Sequence, residues 1–108
     1  MDQPAAITAL AALAQETRMT VFRLLIQAGP QGMTAGDVAA AAKAVPSTLS
    51  HHLAMLERAG LVTSAREGRS LIYAANYAGT RALLAFLMED CCQGAPEICA
   101  PALACAQA

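Results

Sequence analysis

The sequence predicts a mainly α-helical fold carrying one short β-hairpin, and three observations predict it. Apolar residues recur at helical spacing through residues 7–26 and again through 49–56. Two helical segments meet at a tight turn around Lys43–Pro46. Two β-type runs, Leu61–Ala65 and Ser70–Ala75, flank Arg66-Glu67-Gly68-Arg69, a turn containing glycine.

Ile7, Leu10 and Leu13 mark a first helix in an alanine-rich run. A second spans Glu16–Ala28 with Met19, Phe22, Leu25 and Ile26 on one face, and Gly29-Pro30 ends it because proline cannot continue a helix. Thr34 followed three residues later by Asp37 resembles a capping box, so a third helix starts near Ala35 and reaches about Lys43. Val45-Pro46 opens a fourth, since proline at the first helical position removes an N–H that has no intrahelical partner anyway. It runs to Ala59, with Gly60 placed for a left-handed stop. A last helix, roughly Tyr77–Cys91, is apolar nearly all round. The order of helix, tight turn, helix and hairpin is that of a winged helix-turn-helix.

The chain has 108 residues, a length that suits one domain. Its 56% hydrophobic content overstates the core, because 27 residues are alanine, 4% are aromatic and none is Trp. A core built from Leu, Ile, Val and Met on this scale is marginal unless another subunit adds apolar burial, and the over-apolar last helix calls for a partner helix. No run approaches the roughly 18–20 apolar residues of a membrane helix. The apolar run Ala5–Ala14 follows Asp2 and no basic segment, unlike a secretory signal. The expected location is cytoplasmic, where thiols stay reduced. Four cysteines nevertheless crowd the end of the chain: Cys91, Cys92, Cys99 and Cys105.

Charge is equally uneven. The total is −1, but residues 1–42 carry −1, residues 43–81 carry +3, and residues 82–108, with Glu89, Asp90 and Glu97 and no base, carry −3. The basic middle is what a polyanion partner needs. On a helical wheel of the fourth helix, Leu49, Leu53 and Leu56 fall within about 60° of one another and form the buried stripe. Ser47, His51, Ala54 and Arg58 lie opposite, with Thr48 and Ser50 on the flanks near the N-terminus. Such a face suits the major groove, and the basic wing with Arg66 and Arg69, the charge sum and the helix order together outweigh the plainer reading of a solvated helix face. The partner expected from these residues is therefore double-stranded DNA. His51 and His52 point about 100° apart, so they do not chelate one metal together, and His52, nearer the apolar stripe, reads as a packed or hydrogen-bonded histidine.

The stretch VPSTLSHHLAMLERAGLVTSAREGRSLIYAAN (45–76) resembles the recognition helix and wing of the ArsR/SmtB family of metalloregulatory repressors, and ALAQETRMTVFRLL (12–25) resembles that family's second-helix signature. The resemblance covers roughly residues 5–92. It implies a homodimeric winged helix-turn-helix with first and last helices at the dimer interface, and repression by operator binding that an inducer releases; no enzyme activity is implied. Two departures matter. The Cys-x-Cys pair that the family's common arsenic signature places at the third helix is absent from Met33–Val38, and the last helix has no His for the family's zinc site. What remains, Cys91-Cys92 with Cys99, resembles a subgroup of arsenic-responsive members with a vicinal cysteine pair and a third cysteine at the C-terminal end.

Chemistry favours the same ligands. Trivalent arsenic and antimony are soft and prefer thiolates, and their lone pair leaves room for three sulfurs. Gly94 and Pro96 permit the chain reversal that returns Cys99, and the seven residues from Cys92 to Cys99 reach up to about 24 Å extended. Zinc is the main rival, but structural zinc prefers cysteine pairs two to four residues apart, and its tetrathiolate is a dianion set among acids. A tris-thiolate formed from neutral arsenous acid is neutral. Cys105 is left as a spare thiol, a ligand for another metal or a relay. The organisation expected is 1–92 for DNA binding and dimerisation and 93–108 as a cysteine-bearing tail, with As(III) or Sb(III) as inducer at Cys91, Cys92 and Cys99. The alternatives are a thiol-based redox or organoarsenical-responsive repressor, or a small thiol enzyme or metallochaperone, which would need a base near Cys91 to lower its pKa.

Overall fold

Five helices and three short strands follow one another over residues 1–89, the part of the chain that the computed structural model describes: α1 (Gln3–Leu13), α2 (Glu16–Ala28), β1 (Met33–Thr34), α3 (Ala35–Ala42), α4 (Pro46–Arg58), β2 (Val62–Glu67), β3 (Ser70–Ala75) and α5 (Tyr77–Leu87). Each start has a local cause. Asp2 Oδ1 accepts from the Ala5 N–H at 2.9 Å, Gln15 Oε1 from Arg18 N–H at 2.8 Å, and Thr34 Oγ1 from Asp37 N–H at 3.1 Å. The end of α4 is a Schellman motif: Leu61 N–H donates to the Leu56 carbonyl and Gly60 N–H to that of Glu57, both at 3.0 Å, with Gly60 at φ +79°. This stop aims the chain straight into β2.

The core is one cluster fed by every helix. Val21, Phe22 and Leu25 of α2, Val38 of α3, Leu49, Leu53 and Leu56 of α4, and Leu61, Val62 and Leu83 are buried together. Each fully buried leucine contributes roughly 1.5–3 kcal/mol. The expected leucine stripe of α4 is therefore the buried one.

Five features differ from the sequence-based expectation or go beyond it. Gly68 and Arg69 alone make the hairpin turn, because β2 extends to Glu67, which pairs with Ser70. Positive φ at the first of two central residues is the type II′ pattern that matches strand twist. Strand β1 was not anticipated: its two residues pair antiparallel with β3 (Met33 with Tyr73, Thr34 with Ile72), giving a sheet of order β1-β3-β2. In α1 the small residues Ala6, Ala9 and Ala12 face the core while Ile7 and Leu10 are 57% and 41% exposed. Met19, expected inside, is 42% exposed and edges a shallow groove of about 260 Å³ with Thr20, Arg23, Leu24 and Gln27. Finally, α5 stops at Leu87 and not at Cys91, closed by Met88 N–H on the Leu84 carbonyl at 3.1 Å. Glu89, which follows, opposes the partial negative charge of a helix C-terminus. Cys91, Cys92, Cys99 and Cys105, and the expected boundary at residue 92, lie outside the described residues.

Helix α3 closes on another Schellman motif, with Ala44 N–H on the Ala39 carbonyl and Lys43 N–H on that of Ala40, but here a lysine sits at φ +55°. A left-handed non-glycine residue costs about 1–2 kcal/mol. Glycine removes that cost and adds about 0.5–1 kcal/mol of unfolded-state entropy. Lys43→Gly is therefore expected to stabilise the fold by a few tenths to about 1 kcal/mol, read as a higher urea midpoint at unchanged slope.

Candidate nucleic-acid interface

The turn between α3 and α4 is three residues long, Lys43-Ala44-Val45. It sets α4 on the core by its leucine stripe and leaves the opposite face open. Ser47, Thr48, Ser50, His51 and Arg58 are all exposed along α4, and Arg66 and Arg69 are exposed in the hairpin. The seven residues thus fall into two groups, one along a helix and one at the wing tip, where Arg66 pairs across from Leu71 and Arg69 sits in the turn.

The first turn of α4 is prepared for negative charge. Pro46 stands at its start and Val45 provides no side-chain cap. Thr48 Oγ1 instead donates to the Val45 carbonyl at 2.8 Å, and Ser50 Oγ to the Pro46 carbonyl at 3.3 Å. The backbone N–H groups at this end therefore have no side-chain acceptor from the cap position, an arrangement that favours a phosphate. The wing is tied to the same helix: Ser64 Oγ donates to Glu57 Oε2 at 2.9 Å, joining β2 to α4. Nothing in the sequence pattern pointed to this link, since both residues read as exposed polar positions.

His51 and His52 diverge as helical geometry requires, their rings 5.8 Å apart and tilted by 58°. His52 is half-buried, and its Nδ1 is buried with no hydrogen-bond partner among the described residues; the same is true of Arg18 Nε on α2. Burial first, then the Arg18 charge, then His51, holds the His52 pKa below its ordinary value of 6.5. Sequence reasoning passed over Arg18, although its spacing to Val21, Phe22 and Leu25 places it on the buried face of α2. Among the described residues no group of three His, Cys, Asp or Glu side chains could hold a metal ion. No helix among them is long and apolar enough to cross a membrane.

A helix-turn-helix anchored by one apolar stripe, followed by a hairpin with basic residues at its tip, defines a DNA-binding protein of the winged helix-turn-helix class. Comparison with known proteins agrees. A family described as a helix-turn-helix domain matches residues 13–65. The transcriptional activator HlyU of Vibrio cholerae is 28% identical over 88 residues, spanning 82% of this chain and 79% of that protein. The reduced form of V. cholerae HlyU superposes with a TM-score of 0.64 at 28% identity, over 83% of this chain and 92% of the other. The homodimeric winged helix-turn-helix DNA-binding domain of Mb0332 from Mycobacterium bovis, a possible ArsR-family regulator, gives a TM-score of 0.65 at 26% identity over 81% of each chain. A protein described as a possible transcriptional regulator for arsenical resistance is 33% identical, with a TM-score of 0.59 over 76% of this chain and 85% of its own. Over most of its length the chain is similar to ArsR-like regulators, which places it in the ArsR/SmtB-like winged helix-turn-helix superfamily of DNA-binding transcriptional regulators, not enzymes.

Folded His52 holds its proton less tightly than the unfolded chain does, so protonation favours unfolding. Stability is expected to be full above about pH 6.5 and to fall as pH drops below it. Urea midpoints measured from pH 8 to 5 should show that loss in the wild type and a shallower one in His52→Gln; identical profiles would refute the assignment.

Proposed function

We propose that this chain is a homodimeric repressor that binds an operator through α4 and the wing and releases it when As(III) or Sb(III) binds Cys91, Cys92 and Cys99. The observation that carries this reading is the vicinal cysteine pair and third cysteine that follow α5 in the sequence. Three soft thiolates satisfy a pnictogen and suit zinc poorly. The arsenical-resistance description of the 33% identical relative supports the same inducer class. Residues 93–108 would then be the sensor tail and residues 1–92 the DNA-binding and dimerisation unit.

Dimerisation is supported by apolar surface that one chain leaves uncovered. Ile7 and Leu10 of α1 and Leu87 of α5, helices that pack beside each other, are all more than two-fifths exposed. The described homodimer of the M. bovis domain supports the same reading. On DNA, Ser47, Thr48, Ser50 and His51 would meet base edges and nearby phosphates, and Arg58, Arg66 and Arg69 the backbone. A second reading, thiol oxidation as the signal, draws support from the existence of a distinct reduced form of V. cholerae HlyU.

Operator release tests both. Arsenite should release the wild type from its native upstream DNA, whereas Cys91→Ser, Cys92→Ser and Cys99→Ser should each stay bound, and X-ray absorption at the arsenic edge should count three sulfurs. Release by peroxide in metal-free buffer, with arsenite inert, would overturn the arsenic reading in favour of oxidation. Release by methylarsenite that survives Cys99→Ser would indicate a two-sulfur organoarsenical site.

The wing carries a separate expectation. Arg66→Ala and Arg69→Ala should each weaken binding about equally across DNA sequences and reduce the salt slope of log K by about 1. An unchanged slope would remove that arginine from the interface.

A further inference from the structure

We infer that Asn76 is a positioning residue for DNA recognition, locking the start of α5 onto the end of α4 so that α5 fixes where the recognition helix stands. The inference rests on the reading of α5 as a dimer helix. Asn76 is the N-cap of α5, and capping would need only its Oδ1, which accepts from Gly79 N–H at 3.1 Å. Its other two groups reach across the fold to a single place. Asn76 Nδ2 donates to the Gly60 carbonyl and its backbone N–H to the Leu61 carbonyl, each at 2.9 Å. Gly60 and Leu61 are the residues that close the Schellman stop of α4, so one side chain spans two helix termini.

The junction has no slack. A Cβ on Gly79 would fall onto the Gly60 carbonyl oxygen and crowd the Asn76 amide, so glycine lets the first turn of α5 seat directly on the end of α4. Thr80 fastens the same turn, its Oγ1 and N–H both donating to the Asn76 carbonyl at 2.9 Å. On the other side Tyr77 Oη donates to the Ile26 carbonyl of α2 at 3.0 Å. Rotation or translation of α5 must therefore carry the C-terminal end of α4 with it, or break these bonds. In a dimer joined through α5, this fixes the separation of the two recognition helices, and with it the half-site spacing the protein accepts.

Two substitutions separate capping from locking. Asn76→Ser keeps a good N-cap but is too short to reach Gly60. Asn76→Asp keeps the cap and suits the helix N-terminus, while turning an acceptor toward the Gly60 carbonyl. A half-site is selected by the wild type from a randomised duplex pool. Affinity is then measured by anisotropy on a single copy, and on inverted pairs centred one helical turn (about 10–10.5 bp) apart and one or two base pairs to either side. The wild type should peak sharply in spacing. Both variants should remain dimers by sedimentation, with unchanged single half-site affinity, yet lose about tenfold at the best spacing, a coupling of ordinary size, and show a flattened profile. Variants that keep the wild-type peak, or that lose single half-site affinity to the same extent, overturn the inference while the dimer reading stands. A wild type that is monomeric, or that binds paired half-sites no better than one, removes the dimer reading and the inference together. Should Asn76→Ser not fold, Asn76→Asp decides.

Discussion

The burial of Leu49, Leu53 and Leu56 is the interaction on which the rest of this structure depends. A helix that meets DNA must present a polar face at a fixed azimuth, and only the opposite, buried face can fix it. A slip of one residue would turn α4 by about 100° and put Ser50 or Ala54 where leucine now sits. Truncating one such leucine to alanine removes about 2–5 kcal/mol, a large fraction of what a small domain possesses. The elements that follow inherit this placement. The Schellman stop at Gly60 directs β2 away from the helix end, β3 returns antiparallel to it, and Asn76 brings the chain back to that same helix end.

Alanine explains the unusual arrangement of α1. Ala6, Ala9 and Ala12 are the smallest surface a helix can offer, so α1 lies close against its neighbours and buries little apolar area in doing so. The larger Ile7 and Leu10 are left outside. At roughly 25 cal/mol per Å² of apolar surface removed from water, covering them contributes more than the buried alanines do. The chain's alanine content thus thins its core and shifts larger apolar side chains to the surface.

The helical order, the leucine stripe, the hairpin and the Thr34 cap were legible because each depends on residues close in sequence. The orientation of α1 was not, because periodicity finds a stripe without saying which neighbour the stripe meets. Strand β1 escaped notice because two residues carry no alternation, and Met33 and Thr34 become a strand only when β3 supplies their partners. Arg18 was hidden by the habit of reading charge as surface, although helical spacing put it beside Val21 and Phe22. The Asn76 lock joins residues 16 apart through a side-chain amide, and no one-dimensional pattern encodes that. At the candidate interface, the exposure of the polar positions of α4 and of the wing arginines follows directly from the wheel and the hairpin, whereas the Ser64–Glu57 tie between them appears only in three dimensions.

Charge and geometry divide the work of the proposed switch. A ligand moves an operator equilibrium only by binding the free form more tightly than the DNA-bound one. Neutral arsenous acid that condenses with three neutral thiols releases three waters and yields a neutral tris-thiolate, so the charge of −3 over residues 82–108 is the same before and after. Electrostatic repulsion of DNA therefore cannot supply the difference. Zinc would behave otherwise, since its tetrathiolate adds two negative charges to a segment already acidic and could repel a phosphate backbone without moving a helix. A neutral inducer has to act through shape. The described structure offers it a short mechanical route, from α5, whose end lies four residues before Cys91 in the sequence, to Asn76 at its start and so to the end of α4.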